Sequence, residues 1–255
     1  MNAHTLPARH GVLWLLGGFT LFRRNPPLLT ALTFAYLLLV VIINILPLIG
    51  PFLLPMLLPA LTAMLGNGCN AIEQRRPLTI DELTRGLTEQ RIGMIRLGGL
   101  HLLGSTLLVL VSLALGLELN IDPNMDEAKA AELMQKLAIV MGLASPLLMA
   151  FWFAPLLTLW NGVPAAKAVF FSFVASWRNW RAFLAYGLGV AVIGLLAPAL
   201  ILVISSAISG ALVNVLALAL RMVLIFILAP VLIASVYLSY RDVFNTRPRE
   251  IDVSV

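Results

Sequence analysis

The chain is poor in charge and nearly empty of reactive side chains. Only 11% of its 255 residues are Asp, Glu, Lys or Arg, against roughly 25% in an ordinary soluble domain. That leaves too few polar side chains to cover a surface facing water. With 60% hydrophobic residues and a mean hydropathy of +0.97, the chain reads as an integral membrane protein. Cysteine occurs once, at Cys69, which excludes an intramolecular disulfide and a cysteine-built metal centre. The three histidines, His4, His10 and His101, are scattered. HExxH, GxSxG and the phosphate-binding glycine loop are all missing, and the apolar runs lack the acids that would carry protons or coupling ions. The expectation is a protein that is not an enzyme, with no cofactor, no metal and no nucleic-acid partner. The N-terminal MNAHTLPARHGVLWLLGGF makes a poor cleaved signal, because its apolar stretch is short and Arg23, Arg24, Pro26 and Pro27 follow it.

What the chain does have is long apolar runs. A membrane span needs about 20 such residues. Spans are expected at about 28–46, 50–66, 97–117, 137–160, 183–204 and 222–240, with PLIGP at 47–51 as a tight turn between the first two. Residues 205–220 read as an interfacial or re-entrant entry to the sixth. Residues 1–245 form a single membrane domain, followed by a polar tail at 246–255. Fourteen of the 17 Lys and Arg residues fall in four segments that six spans would place on one side. These are Arg9, Arg23 and Arg24; Arg75, Arg76, Arg85, Arg91 and Arg96; Lys167, Arg178 and Arg181; and Arg241, Arg247 and Arg249. The opposite side carries Lys129, Lys136 and Arg221 with five acids, Glu118, Asp122, Asp126, Glu127 and Glu132. Basic residues stay cytoplasmic, so both termini are expected there, in a bacterial inner membrane.

The stretch FFSFVASWRNWRAFL (170–184) sets two tryptophans, two arginines and an asparagine within five residues. Wound as a helix, Val169, Phe170, Phe173, Val174 and Trp177 share one face, with Lys167, Ser172, Ser176 and Asn179 largely on the other. Trp favours the headgroup level, and Arg178 and Arg181 can reach lipid phosphates, each worth roughly 1 kcal/mol near an anionic surface. The segment 165–180 therefore reads as a helix lying in the interface plane. Residues 11–23, with Val12, Leu15, Leu16, Phe19 and Phe22 on one face, repeat the idea; 79–92 repeats it more weakly. Arg24-Asn25 and Arg178-Asn179 match, as do Pro59, Pro155 and Pro230, each followed after one apolar residue by Leu in a returning span. The fold class expected is all-α, a polytopic protein of six transmembrane helices, built from three units of an interfacial helix plus a hairpin.

The residues expected to touch lipid or a partner are Arg23, Arg24, Trp177, Arg178, Trp180 and Arg181. Pro59, Pro155 and Pro230 read as helix kinks. Two intramembrane polar residues are candidates by rarity. Arg221 reads as the outer end of the sixth span, snorkelling to headgroups. His101, without a neighbouring His or acid at helical spacing, reads as a packed or interface residue.

The segments PARHGVLWLLGGFTLFRRNP, SFVASWRNWRAFLAYG and SYRDVF resemble those of a family of uncharacterised bacterial inner-membrane proteins, described as hypothetical transmembrane proteins and similar in layout to YciC-like proteins. The resemblance implies a six-helix inner-membrane protein and transfers no catalytic residue. The function expected is an envelope organiser that binds lipid or a membrane-protein partner, or a second copy of itself, through its basic aromatic collar. The alternative is a small transporter or lipid-handling channel with a cavity between proline-kinked hairpins.

Overall fold

A computed structural model describes residues 3–117 and 127–244. Among them the chain is helical: α1 (Arg9–Arg24), α2 (Pro26–Ile45), α3 (Gly50–Glu73), α4 (Ile80–Thr84), α5 (Arg91–Ala114), α6 (Glu127–Trp152), α7 (Ala154–Asn161), α8 (Ala165–Arg178), α9 (Trp180–Ser206) and α10 (Gly210–Phe244). Six helices are long and apolar enough to cross a membrane, α6 and α7 counting together as one. Much of the acidic connection expected at 118–136 and the polar tail lie outside the described residues.

Burial is concentrated at one end of the bundle. Trp14, Leu97, Phe153, Leu157 and Val243 are completely buried, whereas Leu38, Leu107, Leu148 and Leu200 are all more than half exposed. In water such an apolar surface would drive aggregation; against acyl chains it is the ordinary exterior of a spanning helix. The buried end is also where the first and last described segments meet, His4 donating its backbone N–H to the Val243 carbonyl at 2.8 Å. Nine aromatic rings form one continuous cluster there, running from Trp14 through Phe183, Tyr186, Trp152, Phe153, Phe244 and Tyr240 to Trp160 and Tyr237.

The prolines show how the spans are stitched. A proline inside a helix strips the carbonyl four residues back of its donor. Pro59 frees the Pro55 carbonyl, and His101 on α5 takes it with Nδ1 at 3.0 Å. Pro230 frees the Phe226 carbonyl, and the Thr30 hydroxyl on α2 donates to it at 3.3 Å. At Phe153, just before Pro155, Ser172 is inserted into the ladder: its hydroxyl accepts from the Phe153 N–H at 2.9 Å and donates to the Met149 carbonyl at 2.7 Å. In hydrocarbon these groups have no water to turn to. His101→Leu is therefore expected to lower stability in detergent by about 1–3 kcal/mol, the cost of an orphaned buried carbonyl. Thr30→Val should cost less, since its bond is longer and exposed. Equal thermal midpoints for wild type and His101→Leu would refute the account.

Two places differ from the sequence reading. Residues 210–220 are neither re-entrant nor separate: they continue into a single 35-residue helix that passes through a π-helical turn at Leu224–Leu228 before Pro230. A π turn of the same kind and length, Val192–Leu196, precedes Pro198 in α9. The other is 79–92, where the helix is confined to the five residues of α4 before a turn leads into α5. Thr79 caps α4, accepting from the Glu82 N–H at 3.2 Å.

Candidate functional site: an aromatic and basic collar

The collar is assembled from α1, α8 and the adjoining ends of spanning helices. α1 wedges between the first turns of α9 and the last turns of α10. The wedge depends on glycine: a Cβ on Gly11 would stand 2.1 Å from the Ala182 carbonyl oxygen, and one on Gly18 would stand 2.6 Å from that of Val231. Trp14 in the same face donates Nε1–H to Asp242 at 3.1 Å. The face expected to lie against lipid is thus divided. Leu15 and Phe22 are buried in protein; Val12, Leu16 and Phe19 remain exposed. Arg23 sits 6.0 Å over the Phe19 ring, and Arg24 donates to the Glu73 carbonyl at 3.0 Å.

In α8 the inward face is the small and polar one. Ala165, Ala168, Ser172, Ala175 and Ser176 are buried, and the hydroxyls of Ser172 and Ser176 serve backbone groups at the α6–α7 break. The sequence reading gave Ser172, Ser176 and Asn179 to the polar, water-facing side; the structure turns them into the protein. Asn179 is buried and does three jobs: it accepts from the Leu6 N–H at 2.8 Å and donates to the carbonyls of His4 and Ala175, both at 2.9 Å. It thereby ties the N-terminal segment to the α8–α9 corner. Asn25 occupies the corresponding corner between α1 and α2, where its side chain accepts from the Leu28 N–H.

The bulky residues of this corner face outward. The five tryptophans divide cleanly. Trp14, Trp152 and Trp160 point inward and donate to Asp242, Ser239 and Asn67. Trp177 and Trp180 are 63% and 50% exposed, and their ring N–H groups have no partner among the described residues. Phe173 stacks on Trp177 at 6.2 Å, and Arg181 lies 5.5 Å over Trp180. Arg9, Arg75, Arg91, Arg96, Lys167 and Arg178 are also exposed and, among the described residues, without an acidic partner. Such a surface is short of anions and offers half-buried rings at its rim, the composition that suits a membrane headgroup layer.

Sequence reasoning missed the polar knot beneath this surface. Glu73, at the end of α3, pairs with Arg241 and accepts from the Tyr237 hydroxyl. Arg241 also pairs with Asp242 at 3.1 Å. The knot joins α1, α3 and α10, and nothing in residue spacing signals a contact across 168 positions. Arg76 and Arg85 converge on Glu82 in the same way.

The remaining candidates lie apart from the collar. His101 is engaged with Pro55 and meets the Phe151 ring edge-on at 4.6 Å. Arg221 is exposed in the interior of α10 rather than at a helix end, with no polar partner among the described residues. Between α5 and α6 an apolar cavity of about 420 Å³ is lined by Gly104, Leu107, Pro146, Leu147 and Phe151.

No family model matches the sequence, and no solved structure matches it. Over 207 residues, 74% of each chain, it is 33% identical to the Probable inner membrane protein BTH_II0599 of Burkholderia thailandensis.

Proposed function

The chain belongs to the family of this Burkholderia inner-membrane protein, and we propose that it is a non-enzymatic organiser of the inner membrane that grips anionic lipid headgroups with its collar. It is a multi-pass inner-membrane protein. Both termini face the cytoplasm in this reading, since the collar gathers the basic residues and those termini at one end. Arg23, Arg24, Trp177, Arg178, Trp180 and Arg181 make the lipid contacts. The similarity of layout to YciC-like proteins remains part of the same reading, as does the three-unit repeat, for which the asparagine corners at Asn25 and Asn179 speak. The observation that carries the proposal is the division of the tryptophans. Three have found protein partners for their N–H groups; the two beside unpaired arginines have not, and phosphate or glycerol oxygens at the interface supply what they lack.

Trp177→Glu combined with Trp180→Glu tests this. Neither ring supports the core, so the helical fold should survive while partition into vesicles rich in anionic lipid, and abundance in the membrane, fall several-fold. Unchanged abundance and lipid preference would reject the collar. The transporter or lipid-handling alternative draws its support from the apolar cavity beside Pro146, whose lining suits an acyl chain. Cysteine labelling along α5 and α6 separates the two, because a transport path must be reachable from water and a lipid-filled groove need not be.

A further inference from the structure

We infer that the corner between α1, α2 and the end of α3 is a phosphate-binding site, and that its ligand is the headgroup of a single anionic phospholipid. The inference rests on the collar facing the headgroup layer; it shares Arg24 with that surface but names a separate, half-open cavity. A cavity of about 570 Å³ is walled by Arg24, Arg75 and Arg76 and bottomed by Leu28 and Ile72. Three guanidinium groups line one hollow and, among the described residues, only one of them, Arg76, has an acidic partner; a planar guanidinium forks onto phosphate oxygens through paired, charge-assisted hydrogen bonds.

The three arginines are not equally engaged. Arg24 gives one N–H to the Glu73 carbonyl and Arg76 is held by Glu82. Those contacts fix them as walls. Arg75 is exposed, and among the described residues its guanidinium has no partner. Its backbone is the second observation. α3 ends with the Arg76 N–H reaching the Ala71 carbonyl at 2.8 Å and the Arg75 N–H reaching that of Ile72 at 3.2 Å. This closure places Arg75 in the left-handed region, with φ of 53°, at the position glycine usually takes. A strained non-glycine residue at a helix end points to a side chain kept for use. The cavity meets the apolar start of α2 at Leu28, so a ligand with a phosphate and an adjoining apolar part fits both its wall and its floor.

The test is Arg75→Gly in the full-length protein. Glycine relieves the backbone while removing the guanidinium, so the fold should hold or gain thermal stability. Wild-type protein in nanodiscs containing equal phosphatidylglycerol and phosphatidylethanolamine should retain about one phosphatidylglycerol per chain by native mass spectrometry, with about tenfold weaker retention in Arg75→Gly. Arg75→Lys should recover only part of it. Inorganic phosphate is added in a second arm. Displacement of the lipid only at molar phosphate assigns the site to phospholipid. Displacement at millimolar phosphate leaves the phosphate site standing but overturns the lipid assignment. Equal retention of phosphatidylglycerol by wild type and Arg75→Gly overturns the site itself. The Trp177→Glu and Trp180→Glu variant keeps all three arginines: should it alone lose membrane partition while keeping its bound lipid, the collar and this site are shown to be separate.

Discussion

Glu73→Ala is expected to be among the most damaging single changes, lowering stability in detergent by about 3 kcal/mol. Glu73 and Arg241 keep only 16% and 17% of their side-chain surface exposed. Removing one partner leaves the other charge largely desolvated, and breaking such a pair typically costs about 3–5 kcal/mol. The remaining exposure, and Asp242 as a second anion for Arg241, hold the cost at the low end. The Tyr237 hydroxyl also loses the carboxylate it donates to. Glu73→Gln should recover part of the loss, because its side-chain oxygen can still accept from Tyr237 while Arg241 keeps Asp242 as its anion. Thermal midpoints of the wild type and these two variants in one detergent read this directly. If Glu73→Ala melts with the wild type, water reaches the knot and the pair contributes little.

Gly11→Val combined with Gly18→Val is expected to have a comparable effect, about 3 kcal/mol or more, by a steric route. Overpacking a filled contact costs about 1–3 kcal/mol per site, and here the obstacle at both positions is backbone. Carbonyl oxygens at 2.1 and 2.6 Å from the added Cβ belong to α9 and α10, which cannot swing aside as a side chain can. α1 should then leave its groove, uncovering Trp14 and the N-terminal segment to protease. Val12→Ala on the exposed face of the same helix is the control and should stay within about 0.5 kcal/mol of wild type. Resistance of the double variant to protease, at the wild-type rate, would mean that α1 is not wedged as described.

These two predictions rest on contacts that could not be read from spacing, whereas the frame around them could. Six apolar runs, the breaks between them and the collection of basic residues into four segments were all visible as composition along the chain. A hydrocarbon environment makes that possible, since it demands long uninterrupted helices and penalises charge within them. The same logic separated α1 and α8 from the spans, because each ends at an Arg-Asn corner before a fully apolar run begins. It did not show what lies against the opposite face, which in α8 is Ala and Ser buried in protein. The backbone break at Phe153 needed a hydroxyl to insert, which only a small residue could deliver at that distance.

The sequence by itself, then, determined an all-helical membrane protein with a basic, aromatic end, because hydropathy and charge act locally and are summed over neighbours. Only the tertiary structure decided which tryptophans are structural and which face outward, that His101 serves a proline-freed carbonyl, and that Glu73 meets Arg241. Each of those depends on partners far apart in the chain, where a single hydrogen bond or ion pair selects one helix arrangement and leaves no periodic trace in the residues between.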